Sequence, residues 1–146
     1  LSSALYDPAV AVSKATTTAI AMTALDTTNL RLAFTVPVTG RVLVRLAGTL
    51  HGATTCPQIL LGVLNGASVV GRTPPVLGGG NVAATTLMRA ESTFVVSGLT
   101  PGAALTWDAA YGVETVVAST GLKYGGPNSA TGNNAFGAFQ FEIWTA

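Results

Sequence analysis

The sequence predicts an all-β fold of about eight strands, arranged as an antiparallel sandwich or barrel. Valine, threonine, leucine and aromatic residues recur at every second position in short runs, which is the pattern of half-buried strands. Glycine, proline and asparagine separate these runs at spacings of roughly 8–12 residues, as turns do in sandwiches and barrels. Helix signals are nearly absent, so no helix is available for the crossovers that parallel strands need.

The N-terminal segment shows this pattern least. Residues 1–14 contain Asp7-Pro8 and several alanines without firm alternation, and we interpret them as an arm that reaches a neighbour or as a linker. A first strand can begin in the run 15–23, and residues 15–146 are predicted to form a single β-sandwich domain. A chain of 146 residues suits one domain with its own core.

Clean alternation from residue 29 to residue 36 predicts a strand with one buried face. The inward side chains of this strand are Leu30, Leu32, Phe34 and Val36. The segment 37–40, Pro-Val-Thr-Gly, then supplies a turn, because proline presets φ and glycine accepts a positive φ. The next alternating run is predicted to direct Val42, Val44, Leu46 and Leu50 inward, and Arg41, Arg45 and Thr49 outward.

Asn65-Gly66 lies between two apolar runs, residues 58–64 and 67–72, and is the strongest hairpin signal in the chain. A type I′ turn needs positive φ at both central residues, which asparagine and glycine tolerate well. We therefore predict a β-hairpin here. The following segment, 73–81, contains two prolines and three glycines and is predicted to be an exposed loop.

Further strand segments complete the predicted sandwich. Residues 82–88 and 92–97 have strand character around a kink or turn at 89–91, and a tight connection follows at 98–102. The next strand is predicted to share one core-facing side among Leu105, Trp107, Ala109 and Tyr111, and residues 113–119 extend or follow it. In the last segment, 136–144, inward and outward positions alternate through Phe139, Gln140, Phe141, Glu142 and Ile143.

Charge is scarce in this chain, which has seven basic and six acidic residues against 49% hydrophobic residues and 21 threonines. A folded monomer of this size normally exposes more polar area than such a composition provides. We therefore expect an assembly or attachment protein that buries part of its surface against copies of itself or a larger particle. The basic residues are scattered singly, which argues against nucleic-acid binding. No window of about 18 apolar residues exists, so membrane insertion is not expected.

Residues that carry catalysis or bind metals are few. His51 and Cys56 are the single histidine and the single cysteine, and neither has the neighbours that a triad, a zinc site or a disulfide needs. Asp108 and Glu114 are interpreted as surface charge rather than as a glycosidase pair. We expect no catalytic residues, no metal site and no cofactor, and hence a protein that is not an enzyme.

The longest polar, glycine-rich stretch, residues 121–134, is predicted to be a loop that is either functional or simply solvated. A lectin-like site needs an exposed aromatic face and a few amide or carboxylate side chains on loops, and this stretch offers both. The candidate ligand-binding residues are Tyr124, Asn128, Asn133 and Asn134. Carbohydrate recognition is therefore one of two interpretations of this segment.

Two segments resemble C1q-like and tumour-necrosis-factor-like jelly rolls. Residues 34–44, Phe-Thr-Val-Pro-Val-Thr-Gly-Arg-Val-Leu-Val, are similar to the early motif of that family, where an aromatic strand end, a proline, a glycine turn and a hydrophobic strand follow in order. Residues 135–143, Ala-Phe-Gly-Ala-Phe-Gln-Phe-Glu-Ile, are similar to its terminal strand, whose aromatic pattern packs at a trimer core. The resemblance implies an antiparallel β-sandwich with a jelly-roll-like arrangement, and a homotrimer with Phe136, Phe139 and Phe141 at the oligomer interface.

The threonine-, alanine- and glycine-rich strands and the turn Gly98-Leu-Thr-Pro-Gly102 are similar to small β-sandwich domains of tailed-bacteriophage virion proteins. This resemblance implies a location in the virion and a trimeric tail-fibre or tail-tip domain that contacts other virion proteins and a host-surface glycan. A capsid decoration protein and a free glycan-binding module are the alternatives. The same turn followed by Leu105-Thr106-Trp107 resembles fibronectin type III domains, but the chain is too long for one such domain and has leucine where that family usually has tyrosine.

Overall fold

A computed structural model of the chain describes residues 2–14, 21–51, 59–72, 87–113, 121–127 and 135–146. In these ranges the regular structure is β-strand, and the predicted all-β fold is confirmed. The same ranges contain no helix that could span a membrane. The strands are β1 (Ser2–Tyr6), β2 (Val12–Lys14), β3 (Thr23–Ala24), β4 (Arg31–Thr35), β5 (Val42–His51), β6 (Ile59–Asn65), β7 (Ser68–Arg72), β8 (Leu87–Val96), β9 (Ala104–Val113), β10 (Gly121–Tyr124) and β11 (Phe139–Thr145).

The strands pair in a nested order, in which strands near the start of the chain pair with strands near its end. β1 and β2 pair with β11 and β10, β3 and β4 pair with β9, β5 pairs with β8, and β6 pairs with β7. The chain is thus one long antiparallel hairpin, with its tip between β6 and β7, that is rolled into two sheets. This nested pairing is a jelly-roll arrangement.

Each sheet has four strand positions, because some positions hold two short strands placed end to end. In sheet A, β8 lies along one edge of β5, β11 and β10 share the other edge, and β1 and β2 lie beyond them. In sheet B, β3 and β4 share one edge of β9, and β6 and then β7 lie on the other. In the part of the chain that the structure describes, eleven strands occupy eight positions, which agrees with the prediction of about eight strands.

The core lies between the sheets and is built from the inward faces that the alternation predicts. Buried side chains of β4, β5, β9 and β11 form it: Leu32, Phe34, Val42, Val44, Leu46, Trp107, Ala109, Tyr111, Phe139, Phe141 and Ile143. Thr49 departs from the prediction of an exposed position. It is buried, and its hydroxyl donates a 2.6 Å hydrogen bond to the Phe136 carbonyl, which satisfies the polar group away from water.

The predicted hairpin is confirmed, with its turn one residue further along the chain. β6 and β7 pair up to Asn65 opposite Ser68, so the two residues between the strands are Gly66 and Ala67. Gly66 has a φ of 60°, which meets the need for a positive φ at the first central residue of a two-residue hairpin turn. Asn65 thus ends a strand instead of occupying the turn.

The N-terminal segment is not an arm, which corrects the expectation for residues 1–14. β1 and β2 lie in this segment and pair with β11 and β10 of the same chain. Ala4, Tyr6 and Val12 pack against the core. The alternating pattern of this segment is interrupted at Asp7-Pro8, which leaves the two short strands β1 and β2. The predicted kink at 89–91 is also absent, since β8 runs through it.

Candidate functional site: the outer face of sheet A

The predicted carbohydrate site lacks its exposed aromatic face. Tyr124 is 1% exposed, and its ring lies against Phe139 and Tyr6, with centroid distances of 5.8 Å and 6.0 Å. Burial, together with the negative charge of Asp26 and then the neighbouring Tyr6, raises the pKa of the Tyr124 hydroxyl to about 12. Residues 128, 133 and 134, the three asparagines of the prediction, lie outside the described residues. Tyr124 is therefore a core residue at the end of β10.

The three phenylalanines expected at an oligomer interface are buried within the single chain. Phe139 and Phe141 are 0% exposed and point between the sheets, while Phe136 is 8% exposed. The ammonium group of Lys123 lies 5.1 Å from the centre of the Phe136 ring. The two-residue period of β11 turns Phe139 and Phe141 inward, as the alternation predicts, and turns Gln140, Glu142 and Trp144 outward.

The register of sheet A places outward residues of three neighbouring strands side by side. Leu43 of β5 lies opposite Trp144 of β11 on one edge and opposite Val95 of β8 on the other. Trp144 is 51% exposed and Val95 is 45% exposed. We call Trp144, Leu43 and Val95 the apolar row. It is a continuous apolar strip across the outer face of sheet A.

A group of charged side chains, the charge cluster, lies next to the apolar row and consists of Arg45, Glu91 and Glu142. The Arg45 guanidinium donates to both Glu91 carboxylate oxygens, at 2.7 Å and 3.1 Å, and to Glu142 at 3.4 Å. These contacts raise the pKa of Arg45, and the hydrogen bonds from Arg45 hold the pKa of Glu91 below its ordinary value. The cluster therefore keeps one cation between two anions.

The indole of Trp144 is tied to the charge cluster. Its Nε1–H donates to Glu142 Oε2 at 3.4 Å, the same oxygen that accepts from Arg45. A cleft of about 120 Å³ lies beside this indole and is lined by Ser2, Ser3, Ile143 and Trp144. Trp144 is thus oriented by a polar partner at its ring nitrogen while its apolar ring stays accessible.

The predicted surface charge at Asp108 has a structural role on sheet B. Asp108 is 4% exposed, and its two carboxylate oxygens accept from Arg31 Nε at 2.7 Å and Arg31 Nη2 at 2.8 Å. The pair joins β4 to β9 at positions that are opposite in register. Cys56 and Glu114 lie outside the described residues, and within the described ranges no three His, Cys, Asp or Glu side chains are grouped to hold a metal ion.

Comparisons of the chain with protein-family models, with curated proteins and with solved structures give no match. The function is therefore inferred from the surface itself. Sequence reasoning missed the apolar row, although its members stand at outward positions of predicted strands. The available signal is an apolar residue at a position where the alternation predicts a polar one. The alignment of Leu43 with Trp144 and Val95 depends on the register between strands, which the pattern along the chain does not contain.

Proposed function

We propose that this chain is a non-enzymatic structural or attachment module of a virion, and that it acts as a homotrimeric tail-fibre or tail-tip domain that contacts the host surface. The observation that carries the proposal is the outer face of sheet A, where Trp144 and Val95 of the apolar row are exposed beside charges that are paired with one another. Exposed apolar strips of this kind mark surfaces that other molecules cover.

The electrostatic character of the chain supports a role in assembly. Its net charge is +1, and only 9% of its residues are charged. Arg45 and Arg89 on the outer face of sheet A are both engaged within the chain, Arg45 by the charge cluster and Arg89 by the Ala138 carbonyl and Gln140. Because these two arginines are engaged within the chain, this face suits an uncharged partner surface better than a polyanion.

The fold supports the proposal by analogy. Jelly rolls occur in viral capsid proteins and lectins, among other proteins, and a fold alone does not assign a function. The resemblance of residues 34–44 and 135–143 to C1q-like and tumour-necrosis-factor-like domains adds the trimer. A free N-terminal arm would favour the alternative role as a capsid decoration protein, because such an arm can reach across a capsid lattice. The strands β1 and β2 of this segment instead belong to sheet A. That loss of support leaves the tail domain as the favoured proposal.

Two measurements test the proposal. Light scattering coupled to size-exclusion chromatography is expected to give three times the chain mass of 14.7 kDa, and a monomer at micromolar concentration would contradict the trimer. Electron microscopy of intact particles labelled with gold-conjugated antibody against the chain is expected to place label at the tail. Label on the head would favour the decoration protein, and particles without label, beside a positive control antibody, would refute a place in the virion.

A further inference from the structure

We propose that Asn65 is a site of spontaneous covalent modification, at which the side-chain amide is replaced by a carboxylate without an enzyme. Asn65 and Gly66 form the only Asn-Gly pair in the sequence. They lie at the tip of the hairpin between β6 and β7, where Asn65 is the last residue of β6 and Gly66 begins the turn. Both residues are exposed. The modification is independent of the role proposed above.

The reaction joins the backbone nitrogen of Gly66 to the side-chain carbon Cγ of Asn65. The electron pair of the nitrogen forms the new N–C bond, the Cγ–Nδ2 bond breaks, and ammonia leaves with the proton that the nitrogen loses. The product is a succinimide ring, which one water molecule then opens. Cleavage between the nitrogen and Cγ gives aspartate, whereas cleavage between the nitrogen and the main-chain carbonyl carbon gives isoaspartate. The net reaction consumes one water and releases one ammonia.

The groups that react are accessible and unengaged. Gly66 has no Cβ to block the approach of the Asn65 side chain, and no atom beyond its chain neighbours lies within 4 Å of the place where a Cβ would stand. Among the residues that the structure describes, neither the Gly66 N–H nor the Asn65 side-chain amide makes a hydrogen bond. Neither group therefore has to give up a partner before the ring closes.

The rotation that brings these two groups together disturbs little of the fold. Asn65 and Ser68 are the last pair of the ladder between β6 and β7, so turning the main chain at Asn65 opens one pair at the end of a hairpin. Element ends open at a lower free energy than core strands do. Ring closure at Asn65 is therefore compatible with the folded chain.

Asn29 provides the contrast within the same chain. Its Nδ2 donates to Asp26 Oδ2 at 3.0 Å, and the N–H of the next residue, Leu30, donates to the Asp26 carbonyl at 3.1 Å. Leu30 is 0% exposed, and its carbonyl accepts from the Ala109 N–H at 2.9 Å. The same ring at Asn29 would break both hydrogen bonds to Asp26 and move a core residue, so Asn29 is expected to keep its amide.

The conversion changes the charge of a chain that has few charged residues. The new carboxyl group is ionised at neutral pH. The formal net charge of +1 therefore falls to zero. Isoaspartate also adds one carbon to the main chain, so the regular pairing of this position with Ser68 is lost. Ion-exchange chromatography can separate the converted chain from the original one.

The test incubates the purified wild-type chain in mildly alkaline buffer and follows it by ion-exchange chromatography and peptide mass mapping. A less positive species is expected, with the mass of an acid in place of an amide at Asn65 and with isoaspartate that an isoaspartate methyltransferase detects. Conversion at Asn65 should exceed that at Asn29 by about tenfold or more, because hydrogen bonds at Asn29 must break first. The matched control is Asn65→Gln, which keeps an amide but would need a larger ring.

Each outcome decides the proposal. Conversion at Asn65 that exceeds conversion at Asn29, together with its absence at this position in Asn65→Gln, supports the site. Equal conversion at Asn65 and Asn29 overturns the inference from the hairpin geometry. The same holds if the folded chain keeps its Asn65 amide while the chain unfolded in urea loses it. Aspartate without isoaspartate overturns the succinimide route, because direct hydrolysis by water gives aspartate alone.

Discussion

The close approach of Phe139 to Gly48 allows the register of β11 on β5 to be tested by a double-mutant cycle. A Cβ at Gly48 would lie 2.6 Å and 2.8 Å from two carbons of the Phe139 ring and 3.0 Å from a methyl carbon of Leu122. Carbon atoms in favourable contact are about 3.5–4.0 Å apart. Gly48→Ala therefore overfills the core and is expected to lower the free energy of unfolding by about 1–3 kcal/mol.

Removing the ring should reverse the sign of this effect. Phe139 is 0% exposed, and Phe139→Ala is expected to cost about 3–5 kcal/mol through lost burial and the cavity left behind. In the Phe139→Ala background the methyl group that Gly48→Ala introduces enters that cavity, and the substitution is expected to be neutral or stabilising by up to about 0.8 kcal/mol. The two substitutions should therefore be coupled by about 2 kcal/mol, as expected for residues in direct contact.

The assay is urea unfolding followed by the fluorescence emission of Trp107. Every variant also carries Trp144→Ser, which leaves Trp107 as the remaining tryptophan, and all variants are compared at one protein concentration. The control is Gly71→Ala, whose Cβ would lie 2.7 Å from the ring of Phe94, so its cost should not depend on Phe139. Additive effects of Gly48→Ala and Phe139→Ala would refute the reasoning. They would mean that β11 pairs with β5 in another register, and Trp144 would then not lie beside Leu43.

Two further predictions concern buried polar groups. Burial raises the pKa values of Tyr111 and Tyr124 to about 12 each, above the ordinary value of about 10, so their neutral forms favour the folded state. This contribution is complete below about pH 10 and is lost as the pH rises through about 12. The phenolate absorbance of Tyr111 and Tyr124 should therefore appear together with alkaline unfolding, and ionisation of both residues near pH 10 in a folded chain would contradict the prediction. Arg31→Gln leaves the Asp108 carboxylate buried without its cation and should lower the urea midpoint more than Arg72→Gln at an exposed position, with partial recovery in Arg31→Gln/Asp108→Asn. Equal midpoints for the two single variants would show that the pair does not stabilise the fold.

The parts of the fold that follow from local alternation were predictable. Leu32 and Phe34 on β4, and Phe141 and Ile143 on β11, are buried at the positions that a two-residue period selects. The hairpin between β6 and β7 was predictable for a similar reason, because its signal lies within a few adjacent residues. Such features depend on steric rules that act between near neighbours along the chain.

Features that depend on distant pairing were not predictable in the same way. Tyr124 lies in a glycine-rich stretch, which suggested a loop, yet β10 is held by β2 on one side and by β5 on the other. The alternation Leu122-Lys123-Tyr124 was the available signal, but it is too short to identify a strand without its partners. Thr49 is buried for a related reason, because the carbonyl that its hydroxyl meets belongs to Phe136, far away in the sequence.

The position of the apolar row depends on the same two factors, the local alternation within each strand and the pairing of distant strands. A sandwich must fill the space between its sheets with its own side chains, so the aromatic residues of its last strand enter the core when they stand at inward positions. Phe139 and Phe141 are such residues, and both are buried in the core of the single chain. On the other face of that strand, the indole N–H of Trp144 donates to Glu142. Because Glu142 also accepts from Arg45, the few charges on this face stabilise the orientation of the apolar side chain beside them.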